Sequence, residues 1–487
     1  MLLIITPISV LALKPMNNEE FRKHAHQLVD WMADYFEEVE DYPVKPDIQP
    51  GDILKQLPDE APDQGEPFEA MFDDFKHSIM PGMTHWESPK FMGYFPANKS
   101  YPSVLAEMLT ATLGAQCMSW LTSPAATELE EQVMEWLRKA IGMPEPFTGV
   151  IQSTASTSTL CALLMAREQI TNFEVNESGF PDNETFTIYC SSETHSSIEK
   201  DVKIAGFGRQ HLRKIPVDDT YAMQPQALEE AIREDLKDGL KPAAVVATIG
   251  TTGSTAVDPL KEIGEICTSY DIFLHVDAAY AGTALLLPEL RWLNEGIEHA
   301  DSFVFNPHKW MFTNFDCSAF YVQDEALLVR TFEIMPEYLK TPEDQRVKNY
   351  RDWGIPLGRR FRALKLWFVM RSFGLEGLKE KLRHHLSLAQ TLKEEMKQHN
   401  SFELMAPVPL NTICFRFHPK HIDDEKKLDE LNQKLLEQIQ QSGKLFLTHT
   451  KLDGKYTIRI VLGNTSLEKN HVDSAWKLIK EFSGNLI

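Results

Sequence analysis

The chain reads as an α/β protein built on a mainly parallel sheet covered by helices, with a helical segment before it and a small α+β unit after it. Three observations predict this. From about residue 149, short β-rich runs alternate with helical ones, the pattern of strands joined by crossover helices. The last hundred residues break that alternation and read as two helices interleaved with strands. At 487 residues the chain also exceeds an ordinary single core, which favours two or three units.

The elements follow in order. Phe21, Leu28, Met32 and Tyr35 fall near one face of a helix over residues 19–39. A Pro-rich connector covers 42–67, and residues 84–103 set aromatic side chains between prolines. Helices are predicted over 103–113 and 125–140. Strands are read at 149–152, 185–190, 243–248, 272–276, 302–305 and 318–322, with helices such as 157–169 and 260–270 between them. Beyond these come a long helix over 358–400, a strand at 412–417, a helix at 424–442, strands at 445–449 and 456–461, and a helix at 467–482. Ligands of such sheets bind at the carboxyl edge of the strands.

Composition narrows the function. The net charge of −22, from 71 acids against 49 bases, repels phosphate backbones, so nucleic acid and anionic membrane are not expected partners. Six scattered cysteines without a CxxC pair suit a reducing compartment rather than a disulfide framework or zinc module. Residues 1–13 are apolar but short, contain Pro7 and lack a basic start. Residues 1–15 are therefore read as an upstream extension before Met16, and the protein as cytoplasmic. The pair His418 and His421 has no evident third ligand, and no metal is expected there.

Five sites carry candidate chemistry. Lys309 stands in Asn306-Pro-His-Lys-Trp310 directly after a strand. Pro307 holds Asn306 extended and leaves His308 and Lys309 at the sheet edge. An amine partly desolvated there has a lowered pKa and can form a Schiff base, although a loop lysine reaching water fits the same residues. Asp277 ends the apolar strand Leu274-His-Val-Asp277 and faces the same side as Ala279. Such a carboxylate is costly to bury unless it meets a cation, such as a protonated pyridine nitrogen, or caps the next helix. Gln152-Ser-Thr-Ala-Ser-Thr157 follows a strand and opens a helix, which makes an anion site or simply a good cap. His195 and Thr252 follow two further strands, where an imidazole could stack on a flat ring.

With these spacings, from about residue 17 to the C-terminus, the chain resembles the group II pyridoxal phosphate-dependent decarboxylases, and most closely their aromatic-L-amino-acid branch. The resemblance rests on Tyr94-Phe-Pro96, Ser119-Trp120, Ser123-Pro-Ala, Thr127-Glu-Leu-Glu130, His275-Val-Asp-Ala-Ala-Tyr-Ala-Gly282, Asn306-Pro-His-Lys-Trp310 and Ile355-Pro-Leu-Gly-Arg-Arg-Phe361. It implies the aspartate-aminotransferase type of fold (fold type I). Residues 16–102 would embrace a second subunit, 103–365 would form the large cofactor-binding domain, and 366–487 the small domain.

The resemblance also implies roles. Lys309 would hold pyridoxal 5'-phosphate covalently, Asp277 would keep its ring nitrogen protonated, and His195 and Ala279 would lie on its two faces. Thr252 would stand near its phenolic side, and Thr154, Ala155, Ser156 and Asn306 would bind its phosphate, with His308 beside them. In the homodimer, Leu357 and Gly358 would reach the other subunit's phosphate. Tyr338 would return the proton to Cα, and the polar segment around it would act as a closing lid. The substrate pocket would comprise Trp86, Tyr94, Phe95, Pro96, Ala97, Gln116 and Met118. Ala97, Gln116 and Met118 depart from the residues usual in the animal enzymes, so the choice among dopa, tyrosine, tryptophan and phenylalanine stays open. Tyr338 and His195 together favour plain decarboxylation over oxidative aldehyde synthesis. Decarboxylation of glutamate, aspartate or histidine is the other alternative.

Overall fold

The computed structural model describes residues 16–334 and 346–486. Its large sheet has seven strands: β1 (Thr148–Gln152), β2 (Phe186–Ser191), β3 (Leu212–Ile215), β4 (Lys241–Thr248), β5 (Phe273–Asp277), β6 (Ser302–Phe305) and β7 (Ser318–Val322). They lie in the order β1-β7-β6-β5-β4-β2-β3. Strands β3, β2, β4, β5 and β6 pair in parallel, while β7 runs antiparallel to both β6 and β1. Two reversals return β1 to the common direction, so only β7 opposes the rest. The carboxyl ends of β1, β2, β4, β5 and β6 therefore meet along one edge.

The central strands form because both their faces are covered. Every residue of β5, β6 and β7 is buried, and Ala243 to Thr248 of β4 are too. One face packs on helices Pro124–Ala140, Pro225–Lys237 and Leu260–Tyr270, with Leu137, Ile232 and Ile263 fully buried. The other is covered by helix Ala155–Ile170 and helix Ser197–Ile204, through Cys161, Leu163, Ile198 and Val202. Burial of side chains this size stabilises by roughly 1.5–3 kcal/mol each, before chain entropy is counted.

The small unit carries a four-stranded antiparallel sheet in the order β10-β11-β9-β8, from β8 (Phe402–Leu404), β9 (Thr412–Phe417), β10 (Thr448–Leu452) and β11 (Lys455–Val461). Helices Glu425–Gln441 and Lys469–Gly484 pack on it. Helix Arg362–Gln398 links the two units, and its backbone breaks at Gly374 (φ 64°, ψ 167°). At the other end, helix Asn18–Glu38 is capped by a reciprocal Asn17–Glu20 pair and packs Trp31 against Phe72 and Phe75.

The observed elements differ from the sequence reading in four places. The long helix begins at Arg362 rather than 358, because Arg359 is pulled inward to Glu130 and its carbonyl accepts the Cys117 N–H. The strand expected at 445–449 is β10 at Thr448–Leu452, set by the two-residue Asp453-Gly454 turn, with both residues at positive φ (50° and 77°). The apolar run before it pairs instead with Phe91 through Phe446. Strands β3 and β8 were not expected.

Candidate active site

The carboxyl edge of the large sheet holds a cavity of about 250 Å³. Each strand end delivers part of its lining: Thr154, Ala155 and Ser156 after β1, His195 and Ser197 after β2, Thr248, Gly250 and Thr252 from β4, Asp277 and Ala279 from β5, and Asn306, His308 and Lys309 after β6. Register sets their levels, since Asp277 sits opposite Thr248 on β4 and Val304 on β6. Gly250 is required where it stands, at φ 83°, because a Cβ there would lie 2.6 Å from the Ala281 Cβ.

Lys309 occupies the single helical turn Pro307–Trp310, whose start Asn306 is tied to β5 by an N–H bond to the Ala279 carbonyl (3.0 Å). Asn98 fixes the Lys309 backbone from the other side, donating from Nδ2 to its carbonyl (2.7 Å) and to that of Gly463 (2.6 Å). The Lys309 Nζ lies 5.2 Å from the Phe95 ring centre. That ring belongs to a column in which Phe95 stacks on Tyr280 (3.9 Å) and Tyr280 on Trp310 (5.1 Å). Burial in this setting lowers the Lys309 pKa. Asp277 acts against that shift and Arg459 adds to it.

Asp277 is buried and accepts the Ala279 N–H at Oδ1 (2.9 Å). The His195 Nδ1 accepts the Ser197 N–H (3.2 Å) and lies 2.8 Å from the Ser197 hydroxyl, which puts the imidazole proton on Nε2. Burial lowers the His195 pKa, with Asp277 opposing and Lys309 reinforcing, so the ring is held neutral. His308 is pushed down to about 3, chiefly by burial, and its Nδ1 accepts the Cys317 N–H. Helix Ala155–Ile170 is capped by the Thr154 hydroxyl, which accepts the Thr157 N–H, and its first-turn N–H groups lie at the cavity where no intrahelical acceptor exists for them.

The remaining expected residues fall into two further groups. Trp86 and Tyr94 do not line the cavity; they stack on each other 5.7 Å apart, 38% and 52% exposed, with Trp86 on Phe91 and Phe91 on Phe446. Tyr94 takes a positive φ of 51°, rare for a non-glycine residue, while its N–H bonds to the Thr448 hydroxyl. Pro96 is buried beside Gly463, and Ala97 is half-buried. Gln116, Met118, Leu357 and Gly358 do not line the cavity of their own chain. Gln116 Oε1 accepts the Arg359 N–H (2.8 Å), which joins the two segments into one outward patch where Leu357 is 48% exposed. Tyr338 lies outside the described residues.

The sequence reading missed Asn98, Phe315 and Arg459. Phe315 lines the cavity against His308. Arg459 is buried on β11, donates to the Gly253 carbonyl and the Thr448 hydroxyl, and leaves Nη2 without a protein partner. Its guanidinium lies 5.4 Å from the Phe95 ring centre. A lone arginine inside Tyr456-Thr-Ile-Arg-Ile-Val461 was a readable signal; Asn98 offered none.

A sheet of this order with a buried lysine and carboxylate at its carboxyl edge defines a class of enzyme that holds a flat, anionic cofactor through an amine. Residues 50–418 match the family model of the pyridoxal-dependent decarboxylase conserved domain. The chain is 44% identical to phenylacetaldehyde synthase of Arabidopsis thaliana over 98% of both chains. It is 42% identical to tryptophan decarboxylase 2 of Oryza sativa subsp. japonica, over 96% of this chain and 95% of that one. Among solved structures it superposes on Catharanthus roseus tryptophan decarboxylase in complex with L-tryptophan with a TM-score of 0.92, at 37% identity over 98% of this chain and all of the other. The chain belongs to the pyridoxal-dependent decarboxylase family.

Its cofactor is therefore pyridoxal phosphate, and the cavity's chemistry fits that group. A helix N-terminus suits the phosphate, a buried carboxylate suits a protonated ring nitrogen, and a depressed lysine suits the aldehyde. The Asn306 Oδ1, buried at the cavity without a protein partner, leaves an acceptor for a further bond.

Proposed function

We propose that the protein decarboxylates an aromatic L-amino acid, one of dopa, tyrosine, tryptophan or phenylalanine, to the amine and CO₂. The observation that carries this reading is the cavity that Lys309, Asp277, His195 and Phe95 line together, with the stacked Trp86–Tyr94 pair on the segment leading to Phe95. Lys309 would hold the cofactor through Nζ, Asp277 would face its ring nitrogen, and His195 and Ala279 would flank the ring. Thr252 would stand at the phenolic side, with Thr154, Ala155, Ser156 and Asn306 at the phosphate and His308 behind. Once bound, pyridoxal phosphate supplies an electron sink for the pair released when the bond from Cα to the carboxylate breaks.

The chain's own residues supply the rest. Phe95, with Trp86 and Tyr94 beside it, would give an apolar, flat surface to an aromatic side chain. Asp277 would hold a proton on the ring nitrogen, where charge develops. Tyr338 would return a proton to Cα through its hydroxyl.

A homodimer belongs to the same reading. Tyr101, Leu105, Leu109 and Leu113 on helix Tyr101–Leu113 are 47–64% exposed, and Leu121 and Leu357 are likewise open. Apolar side chains exposed together on one helix face support an interface there. A second copy would cover it and bring its own Gln116, Met118, Leu357 and Gly358 to the cavity. We further place the enzyme in the cytoplasm, a reading supported by its six buried free thiols. Cell fractionation that recovers it in a membrane or secreted fraction would overturn that placement.

A second reading, oxidative synthesis of an aldehyde, is favoured by the 44% identity to a phenylacetaldehyde synthase. One experiment separates the two: CO₂, amine, aldehyde, ammonia and peroxide are measured from a panel of L-amino acids with added pyridoxal phosphate, beside Lys309→Ala. Amine and CO₂ in equal amounts from an aromatic substrate, absent in the variant, support decarboxylation. Aldehyde with ammonia and peroxide supports the second reading, and turnover of glutamate, aspartate or histidine alone overturns the substrate class.

A further inference from the structure

A second cavity, of about 450 Å³ against 250 Å³ at the catalytic edge, lies on the seam between the N-terminal segment and the small unit. Backbone contacts fix that seam. The Val44 N–H bonds to the Gly443 carbonyl (2.8 Å), and Gly443, at φ 65°, stands so close that a Cβ there would lie 3.1 Å from the Pro43 Cβ. The contact brings Asp41 from one segment and Lys444 from the other to the same crevice. Leu445, Ala475 and Leu478, with the Tyr42 ring, supply its apolar lining, and the first two are buried.

The charged groups of the crevice divide into two sets. Glu40 is already engaged: its carboxylate lies 3.2 Å from His471 Nε2 and 3.5 Å from Lys90 Nζ, which also donates to the Glu40 carbonyl (3.0 Å). Asp41 and Lys444 are exposed, and neither side chain has an ion-pair or hydrogen-bond partner among the described residues. One unanswered anion and one unanswered cation beside an apolar lining match a molecule with an ammonium and a carboxylate on one carbon and an apolar side chain beyond it. A simple amine would leave Lys444 unmet, and a simple carboxylate would leave Asp41 so. Both walls also run directly into the aromatic column next to Tyr94. Phe91 follows Lys90 and Phe446 follows Leu445; the Phe446 N–H bonds to the Lys90 carbonyl (3.1 Å), the two rings stack at 4.8 Å, and Phe446 lies 6.0 Å from the Tyr94 ring.

We propose that this crevice is a regulatory site for a zwitterionic α-amino acid with an apolar side chain, its ammonium on Asp41 and its carboxylate on Lys444. Occupancy is read at the proposed substrate pocket because Phe446 and Phe91 are packed between the crevice and Tyr94. Binding at the crevice stands apart from the reaction. Its regulatory effect rests on the function proposed above.

The probe is L-leucine, which has the required charges and an apolar side chain but no aromatic ring, titrated calorimetrically into the full-length holoenzyme. Saturable binding is expected in the wild type. Asp41→Asn and Lys444→Gln should each weaken it about fivefold, the effect of an exposed ion pair near the top of its usual range. Ser474→Trp, which fills the crevice from an exposed position on helix Lys469–Gly484, should abolish it. Isopentylamine and isocaproate, which each lack one of the two charges, should bind the wild type more weakly than leucine. Leucine should also shift KM for the aromatic substrate in the wild type and leave it unmoved in S474W. No saturable binding of leucine, or binding that all three variants leave unchanged, overturns the site. Binding with KM unmoved, or a KM shift that persists in S474W, overturns the regulation. A wild type that turns over no aromatic amino acid overturns the proposed function instead, while the titrations still decide the crevice.

Discussion

On the proposed reading Lys309 would react through its neutral amine, so whatever sets its charge would set the pH range of the enzyme. Three influences meet there: burial lowers its pKa, Asp277 raises it, and the Arg459 cation lowers it again. Substituting Arg459→Gln removes one depressing charge. The Lys309 pKa then rises, less neutral amine is present at a given pH, and the acid limb of cofactor uptake moves to higher pH. Arg459→Lys keeps the charge while losing the paired bonds to Gly253 and Thr448, so it should weaken packing but leave the limb near its original position. Selective amine labelling of the apoprotein across pH, read at Lys309, checks both. A limb unmoved in R459Q would mean that burial alone depresses the lysine. Lys309 was legible in the sequence because a strand end, a proline and an apolar run all sit within a few residues of it. Asn98, which holds the same lysine's carbonyl across 211 residues of chain, was not, because nothing local distinguishes a buried asparagine from a turn residue.

At the scale of elements, two contacts decide whether the site is presented correctly. Glu130 on helix Pro124–Ala140 accepts from Arg359 Nη2 (2.7 Å) and from the Ile151 N–H of β1 (2.8 Å), and both side chains of the pair are at most 4% exposed. It pins the 357–360 segment to the sheet and stops the long helix from starting earlier. Glu130→Ala should cost about 3–5 kcal/mol, because the Arg359 charge is left buried and unpaired. Denaturant titration measures this, and a loss below 1 kcal/mol would mean that Arg359 finds another partner. The second contact is at Gly93, where a Cβ would lie 2.7 Å from the Phe446 ring, itself stacked on Phe91 at 4.8 Å and unable to retreat. Gly93→Ala should cost about 1–3 kcal/mol by overpacking and displace Tyr94, raising KM for an aromatic substrate more than it lowers kcat. An unchanged KM would remove Trp86 and Tyr94 from the proposed substrate pocket. These elements also show why strands differed in legibility. Those buried on both faces, β4 to β7, read as apolar runs, whereas Leu212-Arg-Lys-Ile215 of β3 is an edge strand whose charges hide it. β10 was misplaced by three residues because the apolar run before it outweighed the Asp453-Gly454 turn that sets its register.

For the whole molecule, the exposed patch of Gln116, Leu357 and Gly358, with half-buried Met118 near it, decides how the site would be completed. Within one chain these residues are joined to each other, through Gln116 and Arg359, and stand apart from the cavity that holds Lys309. A two-fold dimer would resolve this, because an isologous interface places the same patch of each copy against its partner. In the proposed dimer the outward side of helix Tyr101–Leu113, with its exposed leucines, would be the centre of the interface. Leu109→Glu combined with Leu113→Glu should convert a sedimenting dimer to monomer and abolish turnover, although neither residue touches the cavity. Complementation gives the sharper test. Lys309→Ala disables a chain's own cavity, and Gly358→Trp would disable only what that chain lends to its partner. Each variant alone should be inactive. Unfolded together and refolded, half the dimers would be mixed, and each mixed dimer would hold one site with an intact lysine and an intact partner patch. Turnover should then return to on the order of a quarter of the wild-type value. If G358W is fully active alone, Gly358 has no part in the site. If the mixture stays inactive while both variants are dimeric, the patch serves its own chain's cavity through a rearrangement instead.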